Sequence, residues 1–421
     1  MNKALLEPIL ESGIRSTFFF NGRMLSGEDL AREQTANTEA RRRLGQAIGD
    51  GVAYGLEVAE APGSSSIASP VVTITAGAAI SRKGDVLVLP NDTDISLLSA
   101  ITDQPAPPSD FKECEPPTPG GYVVGEGAYA LVIAPAQGRE GRAPVSGLGN
   151  ATASCNSKYT VDGVRFRLVP VAVTLAELID PNRLRNRLAH RCFGTADTSR
   201  FPLDVFAPSP DRYGAIDALR DAGRLTDCDV PIAVVLWTAA GGIRFVDPWM
   251  VRRRVTQRPV TSDWSLLVGD RRASDAEAMF LQFQDHLVDL VVTESDPRTI
   301  VATDRFAFLP PAGAVPIATF GQPRGFDGLR FFGEDAWSHA VVTDGNLLRS
   351  LFHDALYHEP IELTASTPLQ VYTIYDNVKA LERGDTARLT AVFASSSLAY
   401  RGVARFQYGS WDLSRFVPPV I

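Results

Sequence analysis

Phe18-Phe19-Phe20-Asn21-Gly22-Arg23-Met24-Leu25-Ser26-Gly27-Glu28-Asp29 opens the stretch that decides the reading of this chain, and Gly49-Asp50-Gly51-Val52-Ala53-Tyr54-Gly55-Leu56 closes it. An aromatic run meets an Asn-Gly turn signal. Ser26 then stands three residues before Asp29, a variant capping box in which hydroxyl and carboxylate each satisfy a backbone N–H of the first helical turn. The spacing predicts a helix from Ser26 to about Ala47. Its apolar residues are sparse: Leu30, Ala31, Ala36, Ala40, Leu44, Ala47 and Ile48. A stripe this thin leaves the helix exposed on one side or packed in a subunit contact. Gly49, Gly51 and Gly55 end the helix, and from Leu56 the pattern becomes that of strands.

Downstream, Val71–Thr75 and Val86–Leu89 read as strands, with turn chemistry in Ser81-Arg82-Lys83-Gly84-Asp85. A Pro-rich surface strap occupies the region near 102–120. Tyr129–Ala134 and Val164–Val173 resume the strands, and a short helix is expected over Pro181–Arg191. Pro231–Trp237 is a continuous apolar run, hence a buried strand, and Gly241-Gly242 turns it back into Ile243–Val246. Ser274-Asp275-Ala276-Glu277 reads as a second capping box, opening a helix with Phe280, Phe283, Leu287 and Leu290 at near-heptad spacing. Core packing is its first reading and self-association its second.

Leu309-Pro310-Pro311-Ala312-Gly313 looks like a linker. A short helix follows around Leu347–Tyr357, then strands at Leu369–Tyr375, Ala387–Ala394 and Gly402–Gln407, the last two with alternating faces. The predicted fold class is α+β, mainly β. It has an N-terminal capped helix, a central β-region with short helices, and a C-terminal β-sandwich-like domain. The divisions are 1–57 as a helical attachment module, 58–268 as the central β-rich domain, 269–308 as a helical connector and 309–421 as the C-terminal domain.

Composition narrows the function. The chain's 421 residues and 45% apolar content can bury more than one core. The net charge of −8 is spread along the chain, and no basic stripe is present, so nucleic acid is not an expected partner. The runs Arg41-Arg42-Arg43 and Arg252-Arg253-Arg254 read as solvated ends of periodic segments. No stretch approaches the roughly 20 apolar residues of a membrane span, and the first residues do not form a signal peptide. Synthesis in the cytoplasm is expected. Cys114, Cys155, Cys192 and Cys228 lack CxxC spacing and nearby histidines. They suit small buried thiols in a reducing compartment, with a Cys114–Cys155 bridge left open.

No residue pattern announces catalysis, a metal or a cofactor. The glycines from Gly45 to Gly55 close a helix and open a strand, the reverse of a phosphate loop. His353 and His358, five residues apart, stand about 140° apart around a helix and do not face one metal. Val145-Ser146-Gly147 lacks the first glycine of a nucleophile elbow. Glu28/Asp29 and Asp275/Glu277 fit helix N-termini, where the dipole and capping account for them. A dispersed carboxylate pair of glycosidase type stays open. Trp237, Trp249, Trp264, Trp337 and Trp411 read as core or interface before sugar platforms.

The blocks Phe19–Leu30, Glu33-Gln34, Arg41–Leu44 and Gly51–Val58 together resemble a recurrent N-terminal module of proteins encoded with contractile phage tails and phage-like contractile injection systems. Ile74–Ile80 with Gly84–Pro90 is similar to that module's strand pair. Cys228–Trp237, Gly242–Asp247 and Arg252-Arg253 look like a later block of the same group, and Leu309–Gly313 with Gly325–Asp327 like the start of its C-terminal domain. The resemblance implies a non-enzymatic scaffold of the particle: a homo-oligomer that attaches to or surrounds the baseplate, or links fibres. Baseplate, sheath or fibre proteins are its implied partners, with cell-surface glycan as the alternative ligand. Candidate assembly contacts are Phe19, Phe20, Arg41, Arg42, Leu44, Phe280, Phe283 and Leu287.

Overall fold

The computed structural model describes residues 10–98, 114, 125–144, 155–173, 177, 180–195, 214–257, 270–319, 324–342, 348–355, 358–363, 369–375 and 389–395. Most of the Pro-rich strap, Ser146, Trp264, Trp411 and the expected strand Gly402–Gln407 lie outside them.

Helix α1 (Gly27–Ile48) starts where the capping box places it: Ser26 Oγ accepts from the Asp29 N–H, and the Asp29 carboxylate accepts from the Ser26 N–H at 3.1 Å. Gly49 closes it. The chain then enters two small antiparallel sheets. β1 (Gly51–Gly55), β4 (Gly77–Ile80) and β5 (Val86–Leu89) form one. β2 (Val58–Glu60), β3 (Val71–Ile74) and β6 (Thr93–Ser96) form the other. β4 and β5 pair antiparallel on either side of the expected turn at Ser81–Asp85. Since β1 belongs to the same sheet, a boundary at residue 57 divides it.

A larger antiparallel sheet follows, in the order β10-β9-β7-β8. It comprises β7 (Gly127–Pro144), β8 (Cys155–Val171), β9 (Val230–Thr238) and β10 (Gly242–Asp247). β9 is the expected apolar strand, and its two faces are buried in two different cores, so it needs no polar side. Pro231 lacks a ladder donor, and it sits where the β7–β9 register shifts. One face of the sheet meets the small sheets: Leu131, Ile133, Ile232 and Val235 pack with Leu56, Ile74, Leu87 and Leu97. The other face meets α2 (Leu184–Phe193), α3 (Gly214–Asp221) and α4 (Asp270–Thr293) through Leu188, Phe193, Leu219 and Met279.

Helix α4 serves two cores. Ala278 and Met279 belong to the central one, whereas Phe283, Leu287 and Leu290 belong to the C-terminal one. It is a shared wall rather than a connector. It also starts at Asp270, so Ser274 is not its cap. The four-residue pattern is local, and the turn before it is helical as well. Ser274 is buried within the helix, and Asp275 pairs with Arg253 at 2.5 Å.

The C-terminal part contains α5 (Ala302–Arg305), β11 (Phe308–Leu309), β12 (Ala312–Ile317), α6 (Gly328–Phe332), α7 (Glu334–Ser338), β13 (Val341–Val342), α8 (Leu348–Ala355), β14 (Ile361–Glu362), β15 (Gln370–Tyr375) and β16 (Leu389–Ala394). β12, β16, β15 and β13 make one sheet, in which only β13 pairs in parallel. β11 and β14 pair separately as a two-stranded sheet. Leu389, Ala391 and Phe393 face α4, and Val392 and Ala394 face α8, so β16 is buried on both sides rather than alternating. Leu309–Gly313 is no linker: Leu309 and Ala312 are buried, and β12 pairs with β16 along its whole length. The fold is mixed α+β.

The cysteine expectation is corrected too. Cys114 bonds Cys228, whose Cα lies 5.4 Å away, and therefore not Cys155. Cys192 is a buried free thiol pushed up to about 12, first by desolvation. Chain distance hid the pairing, because the two bonded cysteines are 114 residues apart.

Candidate assembly surface

Residues 10–25 run along α1 and are tied to it by polar bonds. The Thr17 N–H donates to Glu33 Oε2 at 3.1 Å, and Thr17 Oγ1 donates to the Asp29 carbonyl at 2.9 Å. Arg23 reaches the Asp29 carboxylate and the Phe18 carbonyl, and Arg43 reaches the Ser12 carbonyl at 2.7 Å. Hydrogen bonds from the Ser26 backbone and hydroxyl, and then Arg23, hold the Asp29 carboxyl below the usual carboxylate range.

The other end of α1 is fixed to the turn between β4 and β5. Arg42 Nε donates to Asp85 Oδ1 at 2.7 Å, and Gln46 donates to the Lys83 carbonyl at 3.1 Å. Gly45 and Gly84 let the two backbones touch: a Cβ on Gly45 would run into the Gly84 carbonyl, and one on Gly84 into the Arg42 carbonyl. The other glycines of the cluster make close approaches elsewhere: Gly49 lies against the Thr256 backbone, Gly51 against Arg254 and Gly55 against Ala76.

Because the ties are polar, the apolar side chains are left outside. In α1 only Ala36 and Gly45 are buried. Phe18 is 77% exposed, Met24 93% and Leu44 64%, and Phe19, Phe20, Leu25, Leu30 and Ile48 are exposed as well. The Phe18 and Phe20 rings lie 6.3 Å apart, and Arg23 covers Phe20. Leu30, Arg41, Leu44 and Ile48 fall within about 60° of the helix circumference at 100° per residue. They form a stripe, apolar at both ends and cationic within.

Of the predicted contact residues, Phe19, Phe20, Arg41 and Leu44 share this outer surface. Arg42 is committed to Asp85. The three on α4 lie elsewhere: Phe283 and Leu287 are fully buried in the chain's own core, and Phe280 packs edge-on against Phe352 at 5.3 Å. Phe18, Met24, Leu25, Leu30 and Ile48 are exposed as well and were not among the candidates. Their signal was apolar side chains in a segment with too little periodicity to bury them.

Charged groups inside the molecule are spent on holding its parts together. Arg167 pairs with Asp229, which also accepts from the Thr226 N–H and hydroxyl. Arg185 joins Asp247 at 2.7 Å to Asp289 at 2.5 Å, and Gln282 donates to the same Asp247. Asn186 accepts from Ala307 N and Phe308 N and donates to the Phe308 carbonyl, stitching α2 to β11. The arginine run 252–254 is likewise structural: Arg253 pairs with Asp275 and Arg254 with Glu277.

Two of the concavities among the described residues carry charged groups. One of about 310 Å³ is lined by Arg82, Arg220 and Arg253 with Asp50, Asp217 and Asp275. Arg82 pairs there with Asp217 at 3.3 Å, and burial and then Arg82 push Arg220 down to about 10. The other, of about 610 Å³, lies between β2, β10 and α4, beside Trp249 and Asp285. Burial and then Asp247 raise the Asp285 carboxyl above its ordinary value. Among the described residues, no group of three His, Cys, Asp or Glu could hold a metal ion. His353 lies 3.5 Å from Asp354. Trp337 stacks on Phe332 at 6.1 Å beside Gly328.

No helix among the described residues is long and apolar enough to cross a membrane. Compared with protein-family models and with curated proteins, the chain matches none.

Proposed function

We propose that this chain is a structural, non-enzymatic component of a phage-like contractile particle, in which it attaches to or surrounds the baseplate or links fibres. The observation that carries the reading is the outward-facing apolar surface of residues 18–48. A 22-residue helix whose buried residues are Ala36 and Gly45 gains little from its own domain. Exposed apolar surface of this extent marks a contact with another protein. The resemblance of the same segment to the N-terminal module of contractile-tail proteins names the kind of neighbour: baseplate, sheath or fibre subunits. The interior suits the role, since its arginine–carboxylate pairs and Asn186 tie its elements to one another.

Isolation of sheath-containing particles from cells that carry the gene tests this reading. The chain is expected in the particle fraction after density-gradient sedimentation, at fixed stoichiometry to the baseplate proteins. Particles that are complete without it would overturn the proposal.

A further inference from the structure

The hairpin of β7 and β8 outgrows the sheet that carries it. β9 accompanies β7 only from Gly127 to Ile133, whereas β8 stays paired from Ala128↔Val171 out to Pro144↔Cys155. Ala134–Pro144 and Cys155–Arg165 therefore make a two-stranded ribbon about 35 Å long at the antiparallel rise. Such a ribbon is marginal in water without a further strand or a packed face. Among the described residues, no strand pairs with the outer edge of β8. That edge lacks two of the usual guards, a bulge and a proline: the register with β7 never slips, and no proline falls between Ser157 and Arg165, so its charged residues are what a pairing partner must match. Tyr159 and Val161, both strand-favouring, stand in solvent at 56% and 43% exposure.

We propose that this edge pairs with the same strand of a second copy, antiparallel about a twofold axis at Thr160. Lys158-Tyr159-Thr160-Val161-Asp162 is chemically self-complementary in that register. Lys158 meets Asp162 of the partner copy, and Asp162 meets its Lys158. On the other face Tyr159 meets Val161 in both directions, and the two Thr160 residues meet at the centre. Opposite charges, an aromatic with a β-branched residue, and threonine with threonine are the favourable cross-strand pairs. Moving the axis to Tyr159 sets Asp162 against Asn156, and moving it to Val161 sets Lys158 against Val164. Neither alternative makes an ion pair. The contact is isologous and closes on itself, and it joins two four-stranded sheets into one of eight strands. It uses a surface separate from residues 18–48 and does not depend on which particle the chain serves.

Charge variants of the full chain test it by light scattering after size exclusion. Lys158→Asp and Asp162→Lys each place like charges opposite one another, and each is expected to halve the assembly mass of the unmodified chain. An equimolar mixture of the two variants restores both ion pairs and is expected to recover the full mass, as is the double variant Lys158→Asp/Asp162→Lys. The proposal is overturned by an unmodified chain of monomer mass, by single variants that keep the full mass, or by a mixture that stays at half. Phe19→Ser leaves this pairing intact, so the two surfaces are tested separately.

Discussion

Arg252 clamps the main chain on either side of Leu56: its guanidinium donates to the Leu56 carbonyl at 2.7 Å and to the Gly55 carbonyl at 2.6 Å. Leu56 is fully buried and holds φ at 56°, in the left-handed region that a leucine rarely adopts. The strained residue is kept in place by packing from the first core and by a cation 196 positions later in the chain. Arg252→Met is expected to cost about 3 kcal/mol, because it removes two charge-assisted hydrogen bonds and leaves buried carbonyls unpaired. Arg252→Lys should recover only part, since a lysine cannot span both carbonyls with a planar fork. Denaturant midpoints at constant m-value check both. A midpoint unchanged in Arg252→Met contradicts the clamp.

Gly45 lies in the last turns of α1, where alanine ordinarily favours a helix by up to about 1 kcal/mol. Here the sign inverts, because the new Cβ meets the Gly84 carbonyl. Gly45→Ala should lift the end of α1 from the turn and speed amide hydrogen exchange in residues 40–48, with the central sheet unaffected. Gly27→Ala, where the added Cβ meets open space, is the control.

His190 and His286 are buried, and desolvation depresses both, His190 to about 3. A neutral imidazole in the fold and a protonatable one in the unfolded chain make stability rise with pH between those values. The contribution of His190 is complete above the ordinary value of 6.5 and is lost as pH falls toward 3, and His286 acts in the same direction. In that window His190 should lower unfolding free energy by about 1.4 kcal/mol per pH unit. Stability measured from pH 7 to 5 should drop accordingly, with a shallower slope in His190→Gln.

Non-reducing peptide mapping should yield a Cys114–Cys228 crosslink and none between Cys114 and Cys155. A bridge closing a loop of that length contributes about 4 kcal/mol. Cys228→Ser should therefore lower the midpoint of unfolding markedly, whereas Cys192→Ala should not remove any crosslink.

Much of the architecture was legible because its signals are local. Ser26 and Asp29 are three residues apart, Gly241-Gly242 sits at its own hairpin, and β9 shows its burial in its apolar run. What sequence could not show was set by distance along the chain. Arg252 finds Leu56, Arg167 finds Asp229 and Cys114 finds Cys228 only after the sheets assemble. Ser274 shows the converse: its cap pattern is locally sound, yet the preceding turn extends the helix beyond it. The assembly surface was half legible. Phe19, Phe20 and Leu44 stood out as apolar residues without a stripe to join. Phe283 and Leu287 misled, because near-heptad spacing suits a core wall as well as a helix pair.

The central claim is that residues 18–48 dock the chain into a contractile particle, and one measurement tests it most directly. Cells whose only copy carries Phe19→Ser, Phe20→Ser and Leu44→Ser would be compared with unmodified cells by density-gradient sedimentation of their sheath-containing particles. These positions are exposed, so the variant should fold with an unchanged unfolding midpoint. The expected result is loss of the chain from the particle fraction and its recovery, folded, in the soluble fraction. Full incorporation of the folded variant would contradict the claim.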